Sequence, residues 1–437
     1  MLIINADELK VLVTGIVSCL SDPSRSIREK AADTLTELFK PDFIQKWDGS
    51  NRDWRLDPPE ETITIIESSI KVYWKISSLV LLLISRQVIE LRGELIDQNG
   101  ISLSNTKPLL SLINEILSQR LIMFKKRLDA VKPKDFVSYY EAFGLHRNTC
   151  ERVCASVSLE MCLLISICCF DLDVSNLAVS CINHMLCESD FLKEFRNDED
   201  NTLNVLDNVS ITENYNVYNE IRKLGSTSFH LTGQKALQKR LRKLFRLVSK
   251  STPGNMGAWD EIYGRWKILS GIHTTPISNS TLDEDLDLGK RKKGFIGRSQ
   301  QSSTLEFIED KGDWQNYTGL LATLGGVCLS NGPSPPARKA SLSSSILKNQ
   351  SSMQQPPWSI MQDQITVMTN SNDNASSNWN NSSSQILMNS FTESKQKVDS
   401  FLAEMVELTI CDNILVREAV KDLLGNELNS LLYGLYY

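Results

Sequence analysis

Four histidines, ten cysteines and a few charged clusters are the residues here that could do chemistry. Cys181, His184 and Cys187 stand three apart, and thiolates with an imidazole suit zinc. A fourth ligand would have to come from elsewhere. The competing reading, which we prefer, puts these three on the core side of a helix beside Ile182 and Leu186. His146, His230 and His273 stand in no metalloenzyme pattern, and no Cys-x-x-Cys pair occurs. There is no Gly-x-x-x-x-Gly-Lys loop to cradle phosphate and no Gly-x-Ser-x-Gly elbow. Gly325-Gly326 follows an apolar stretch, where a helix C-cap is expected rather than an anion cradle. The expectation is therefore no catalytic residue, no cofactor and no resident metal.

Two other patterns carry charge. Residues 235–247 read as a basic amphipathic helix. Leu237, Leu241, Leu244 and Val248 form one face; Lys239, Arg240, Arg242, Lys243 and Arg246 form most of the rest. Such a helix can meet acidic lipid or an acidic partner, so peripheral membrane association is one option. A packed helix with a solvated face is the reading preferred. Arg338-Lys339-Ala340-Ser341 has the shape that a basophilic kinase reads, which makes Ser341 a candidate phosphosite.

The elements that must position these residues are helical. Leu9, Leu12, Val13, Ile16, Val17 and Leu20 recur at helical spacing. Asp22-Pro23-Ser24 breaks the pattern, with Pro23 suited to a first helical position. Ile27, Ala31, Leu35, Leu38 and Phe39 follow, with Arg28 just behind the cap. That pairing is similar to a HEAT repeat, and 401–408 with 416–420 repeats it near the other end. Helices are expected over 63–89, 109–128, 153–170 and 175–186, the last two forming an antiparallel hairpin. HEAT-type units of ~40–47 residues bury their apolar faces only by stacking.

The organisation expected is an all-α solenoid of HEAT/ARM-like helical hairpins with long disordered insertions. Its parts are a helical pair at 1–60, a helical array at 61–274, a charged loop at 275–303, a helix with a Gly-Gly end at 304–330, a disordered Ser/Asn/Gln/Pro-rich insertion at 331–390 and a HEAT-like pair at 391–437. Residues 197–208 form a further acidic, polar break.

Composition agrees. The chain has 437 residues, 41% of them hydrophobic and 23% charged. Its 53 acidic residues exceed 47 basic ones, for a net charge of −6, so a general nucleic-acid partner is not expected. With 21 Gly and 13 Pro, breakers are scarce for a turn-rich β fold. Cysteines in apolar runs point to free thiols in a reducing, cytoplasmic setting, with recruitment to membranes left open. The N-terminus lacks the basic start of a signal peptide. The apolar runs at 76–84 and 161–170 are each about half the length of a membrane span.

Three segments together resemble the neurofibromin family of large Ras GTPase-activating proteins and their fungal counterparts. The first runs from Gly233-Gln234-Lys235-Ala236-Leu237-Gln238-Lys239-Arg240 through Pro253-Gly254-Asn255 to Ala258-Trp259-Asp260 and Trp266. The second is Asp313-Trp314-Gln315-Asn316-Tyr317-Thr318-Gly319-Leu320-Leu321, then Leu324-Gly325-Gly326-Val327-Cys328-Leu329. The third is Val416-Arg417 through Val420-Lys421-Asp422-Leu423-Leu424-Gly425 to Glu427-Leu428, then Leu432-Tyr433. Weaker similarity reaches back to about Ile63. The resemblance implies a helical HEAT/ARM-like region that precedes the GTPase-activating domain. That domain's Phe-Leu-Arg…Pro-Ala signature is absent, so no arginine is assigned as a finger, and the domain is expected beyond Tyr437. The implied partners are a Ras-family GTPase, met through that missing domain, and a second copy of the chain. Trp259, Trp266, Trp314, Gly319, Gly325, Gly326, Arg417, Asp422 and Gly425 are expected to be structural; exposure of Trp314 and Tyr317 to a partner is the alternative. The rival class is a generic HEAT/ARM adaptor binding linear peptides, but its inner ladders of Asn and Trp are not seen.

Overall fold

The computed structural model describes residues 6–40, 73, 76–90, 103–128, 150–194, 214–226, 233–274, 312–326 and 396–433. The charged loop at 275–303, the break at 197–208 and the insertion at 331–390 with Ser341 lie outside them. So do His146 and His230.

The apolar spacing at the start builds α1 (Ala6–Ser18) and, after a 3-10 turn at Cys19–Ser21, α2 (Arg25–Leu38). Leu9, Val13, Val17 and Leu20 pack against Ala31, Leu35, Leu38 and Phe39. Leu12 and Ile27 face outward instead. Pro23 does not open α2; Ser24 is the N-cap. Asp22 stiffens the turn, its Oδ1 accepting from the Ser24 N–H at 2.7 Å.

The centre begins with α3 (76–90) and α4 (Leu103–Leu128). Helix α4 starts six residues earlier than the sequence suggests, because Pro108 lies inside it. Pro108 is its sixth residue, so it removes one intrahelical bond, the one its N–H would make to Ser104 O, and the helix continues upstream of it. Then come α5 (Cys150–Ile167) and α6 (Leu172–Glu194). These two pack on each other across a short turn, the antiparallel hairpin expected. Helix α6 also packs on α4 and on α7 (Tyr215–Ser226), and α2 packs on α4. Arg120 and Glu188 form a 2.7 Å ion pair between α4 and α6, nearly closed to water.

Helix α8 (Gly233–Phe245) packs on α7, and α9 (Pro253–Thr274) packs on α5. The remaining helices are α10 (312–326), α11 (396–408), α12 (Ile414–Asn426) and the single turn α13 (Ser430–Tyr433). No strand occurs among the described residues, so the described fold is all-α. None of their helices is long and apolar enough to cross a membrane.

Candidate functional site

The candidate metal ligands separate. Cys181 is fully buried against α4, its thiol 3.9 Å from the Leu110 carbonyl. Burial raises its pKa well above that of a free thiol, which disfavours the thiolate a metal needs. Cys187 lies instead 3.6 Å from Asn183 Oδ1 on its own helix. Burial lowers the pKa of His184, with nearby Glu115 opposing weakly. Among the described residues no three His, Cys, Asp or Glu side chains are placed to share an ion. No disulfide is formed there either: Cys162, Cys168 and Cys169 are buried and outside any disulfide.

The structure gathers a different set. The C-terminal end of α5 leaves carbonyls without helical partners. Gln238 Nε2 donates to Ile167 O at 2.8 Å, and Gln234 Nε2, one turn earlier, donates to Phe170 O. Ser175 Oγ adds bonds to Ile167 O and Cys169 O. Asp313 at the start of α10 accepts from the Phe170 N–H at 2.6 Å. Two glutamines spaced by one turn thus dock α8 on α5, and Asp313 brings α10 to the same corner. Gly233, at φ 68, provides the left-handed backbone with which α8 begins.

The Thr252-Pro253-Gly254-Asn255 run builds the other end. Thr252 N donates to Asn255 Oδ1 at 2.8 Å, and Asn255 N donates to Thr252 Oγ1 at 3.1 Å. This reciprocal capping opens α9, with Pro253 as its first residue. Beneath it lies Glu160 of α5, 1% exposed. Its carboxylate accepts from Tyr218 Oη at 2.5 Å and from Thr252 Oγ1 at 3.2 Å. Burial, with the neighbouring carboxylate second, raises the Tyr218 pKa and keeps the phenol a donor. A side chain at Gly254 would collide with Glu160, so the glycine lets the positive end of α9 reach that buried anion.

Between these ends runs an aromatic seam. Trp259, Tyr263 and Trp266 line one side of α9, with adjacent rings stacked at 5.3 and 6.1 Å. Phe401 of α11 inserts edge-on, 5.0 Å from the Trp266 centroid. Every seam indole N–H finds an acceptor: Trp259 bonds Leu321 O at 3.2 Å, Trp266 bonds Thr318 Oγ1 at 2.9 Å and Trp314 bonds Ser270 Oγ at 2.8 Å. A buried indole N–H usually finds a partner, because leaving it unmet is costly. Trp314 and Tyr317 are both buried.

The glycines of α10 explain how a third layer reaches this seam. A Cβ at Gly319 would strike the Arg242 side chain, and one at Gly326 would strike Asn429. Gly325 lies against Leu432 and Trp259. Gly325 and Gly326 are helical rather than a left-handed C-cap, which corrects the expectation; their role is close approach. Asn429 takes over the capping, donating N–H to Ala322 O and Nδ2–H to Thr323 O, each at 3.0 Å. Arg242 pairs with Glu427 at 2.5 Å, and Arg246 donates to the carbonyls of Asn426 and Leu428.

Three expected positions stand apart from the seam. Arg417 donates to its own turn at Cys411 O, 3.3 Å away. Asp422 accepts from Asn426 at the surface, and Gly425 has open space around it. Conversely, sequence reasoning passed over Arg242, Arg246 and Asn429 as seam residues. Arginines on a basic face read as solvated, and an asparagine reads as a turn.

No protein-family model matches the chain.

Proposed function

We propose that this chain is a non-catalytic scaffolding and regulatory segment of a neurofibromin-like negative regulator of Ras signalling, built as an α-solenoid of HEAT/ARM-like hairpins. The observation that supports this reading is that the first two resembling segments and the end of the third, 426–432, meet in one buried unit. Residues more than 150 positions apart in sequence meet there, as Arg246 does with Asn426 and Leu428. What they form is a packed seam with its indoles satisfied, as befits a region that holds architecture. The repeated arginine at the turn of the first and last hairpins, Arg28 on Asp22 O and Arg417 on Cys411 O, suits a repeat array.

On this reading GTP hydrolysis on Ras is accelerated by a domain outside this sequence, and the array positions that domain and pairs with a second copy. The purified chain should leave single-turnover GTP hydrolysis by Ras unchanged; clear stimulation defeats the non-catalytic assignment. Deleting the encoding gene should raise the cellular level of GTP-bound Ras, and an unchanged level removes the Ras connection. Light scattering on the purified chain should report a dimer mass.

A further inference from the structure

Helix α8 is held on its inner side. Leu237, Leu241 and Phe245 are buried, while Arg242 and Arg246 reach the C-terminal hairpin. These contacts fix what the outer side presents: Lys235, Lys239, Arg240 and Lys243, all exposed. None of the four has a hydrogen bond or ion pair among the described residues. The nearby acids are engaged elsewhere, Glu427 with Arg242 and, on the packed neighbour α7, Glu220 with Lys223. At 1.5 Å per residue the row is about 12 Å long. Leu247, just past its end, is 65% exposed. In a chain of net charge −6 this is a local reversal of sign.

We propose that the exposed face of α8 is a docking surface for an anionic lipid bilayer. Four long flexible cations on a rigid helix complement a plane of negative headgroups, which demands no register. The single exposed leucine at the end can enter the boundary of the acyl region. Protein interfaces centre on aromatic and arginine anchors seated in closed pockets, whereas this face offers one arginine among lysines, and the exposed large apolar residues of the described chain are only Val, Leu and Ile. The inference stands on α8 alone, and its test contains no GTPase, so its failure leaves the Ras reading untouched.

The test is co-sedimentation of the full chain with vesicles of phosphatidylcholine, alone or with roughly one-third phosphatidylserine. The chain should bind the anionic vesicles, bind the neutral ones far less, and lose binding as salt is raised. Each of Lys235→Gln, Lys239→Gln, Arg240→Gln and Lys243→Gln should weaken binding about fivefold. The quadruple variant should abolish it with helicity and unfolding midpoint preserved, while Lys30→Gln on α2 should change nothing. Equal binding to both vesicle types overturns the proposal, as does full binding by a folded quadruple variant. Retention on immobilised poly-glutamate without any vesicle binding also overturns it, and assigns the face to an acidic protein.

Discussion

The first hairpin, α1 with α2, and the last, α11 with α12, solve the turn in the same way and their attachment in different ways. In each, the arginine one turn into the second helix folds back over the loop. Arg28 Nη1 donates to Asp22 O at 2.7 Å and to Pro23 O at 2.9 Å; Arg417 Nη1 donates to Cys411 O at 3.3 Å. Each opens its second helix from a small polar residue, Ser24 or Asn413. The attachments share little. The first hairpin joins the body through apolar packing, the Phe39–Tyr73 edge contact at 5.8 Å and a bond from Gln87 to Val17 O. The last is tied by Phe401 in the seam, Asn429 on the end of α10, and ion pairs such as Lys397–Asp260 at 2.7 Å.

Specificity resides in the attachments and not in the turns. Turn chemistry is local and depends only on residues a few positions apart, so it can recur wherever a hairpin is needed. Lateral attachment depends on partners supplied by distant segments, and it distinguishes one hairpin from another.

Trp266→Ala should have the largest effect. It removes the ring against Phe401 and leaves the Thr318 hydroxyl without its indole donor. A buried Trp→Ala change costs about 3–5 kcal/mol. Denaturant unfolding should show that loss. Hydrogen exchange should show it falling on 396–433 while 6–38 keeps its protection. Equal deprotection of both hairpins would mean that the seam is not a separate attachment.

Much of the frame was legible before the structure. The stripe Leu9, Val13, Val17 and Leu20 and the apolar run at 161–167 give their helices through spacing alone. The break at Asp22-Pro23-Ser24 falls where the turn does. The start of α4 was not legible, because Pro108 signals a boundary that neighbouring contacts override. The seam was half legible. Trp259, Trp266 and Trp314 announce a core by type. Nothing local says that Arg242 turns inward to Glu427 while Lys239 and Lys243 on the same helix face water. That choice is made by residues some 185 positions away. The glycine pair was misread for a related reason: a glycine after an apolar helix fits both a cap and a close approach, and only Asn429 and Leu432 decide between them.

Glycines sharpen the contrast within the last hairpin's own surroundings. Gly326→Ala must push against Asn429, a short side chain already committed to Thr323 O. Overpacking of this kind costs about 1–3 kcal/mol. Gly425→Ala meets open space inside α12, where alanine is favoured over glycine by roughly 0.5–1 kcal/mol. Thermal unfolding should fall for the first variant and rise for the second. A rise for both would show that the approach of Asn429 to α10 is loose.

The smallest effects should come from the feature the two hairpins share. Arg28→Ala removes two charge-assisted bonds to turn carbonyls, and Arg417→Ala removes one longer bond. Both guanidinium groups are partly open to water, which can replace the protein acceptors, so about 1 kcal/mol is expected for Arg28 and less for Arg417. The order follows from geometry: 2.7 and 2.9 Å against one 3.3 Å bond and a 3.8 Å pair with the exposed Glu418. Hydrogen exchange should place each loss at its own turn, near 19–28 or 409–417. If Arg417→Ala instead loosens the junction of α10 with Asn429, the arginine acts beyond its loop, and the division between portable turns and specific attachments fails at that hairpin.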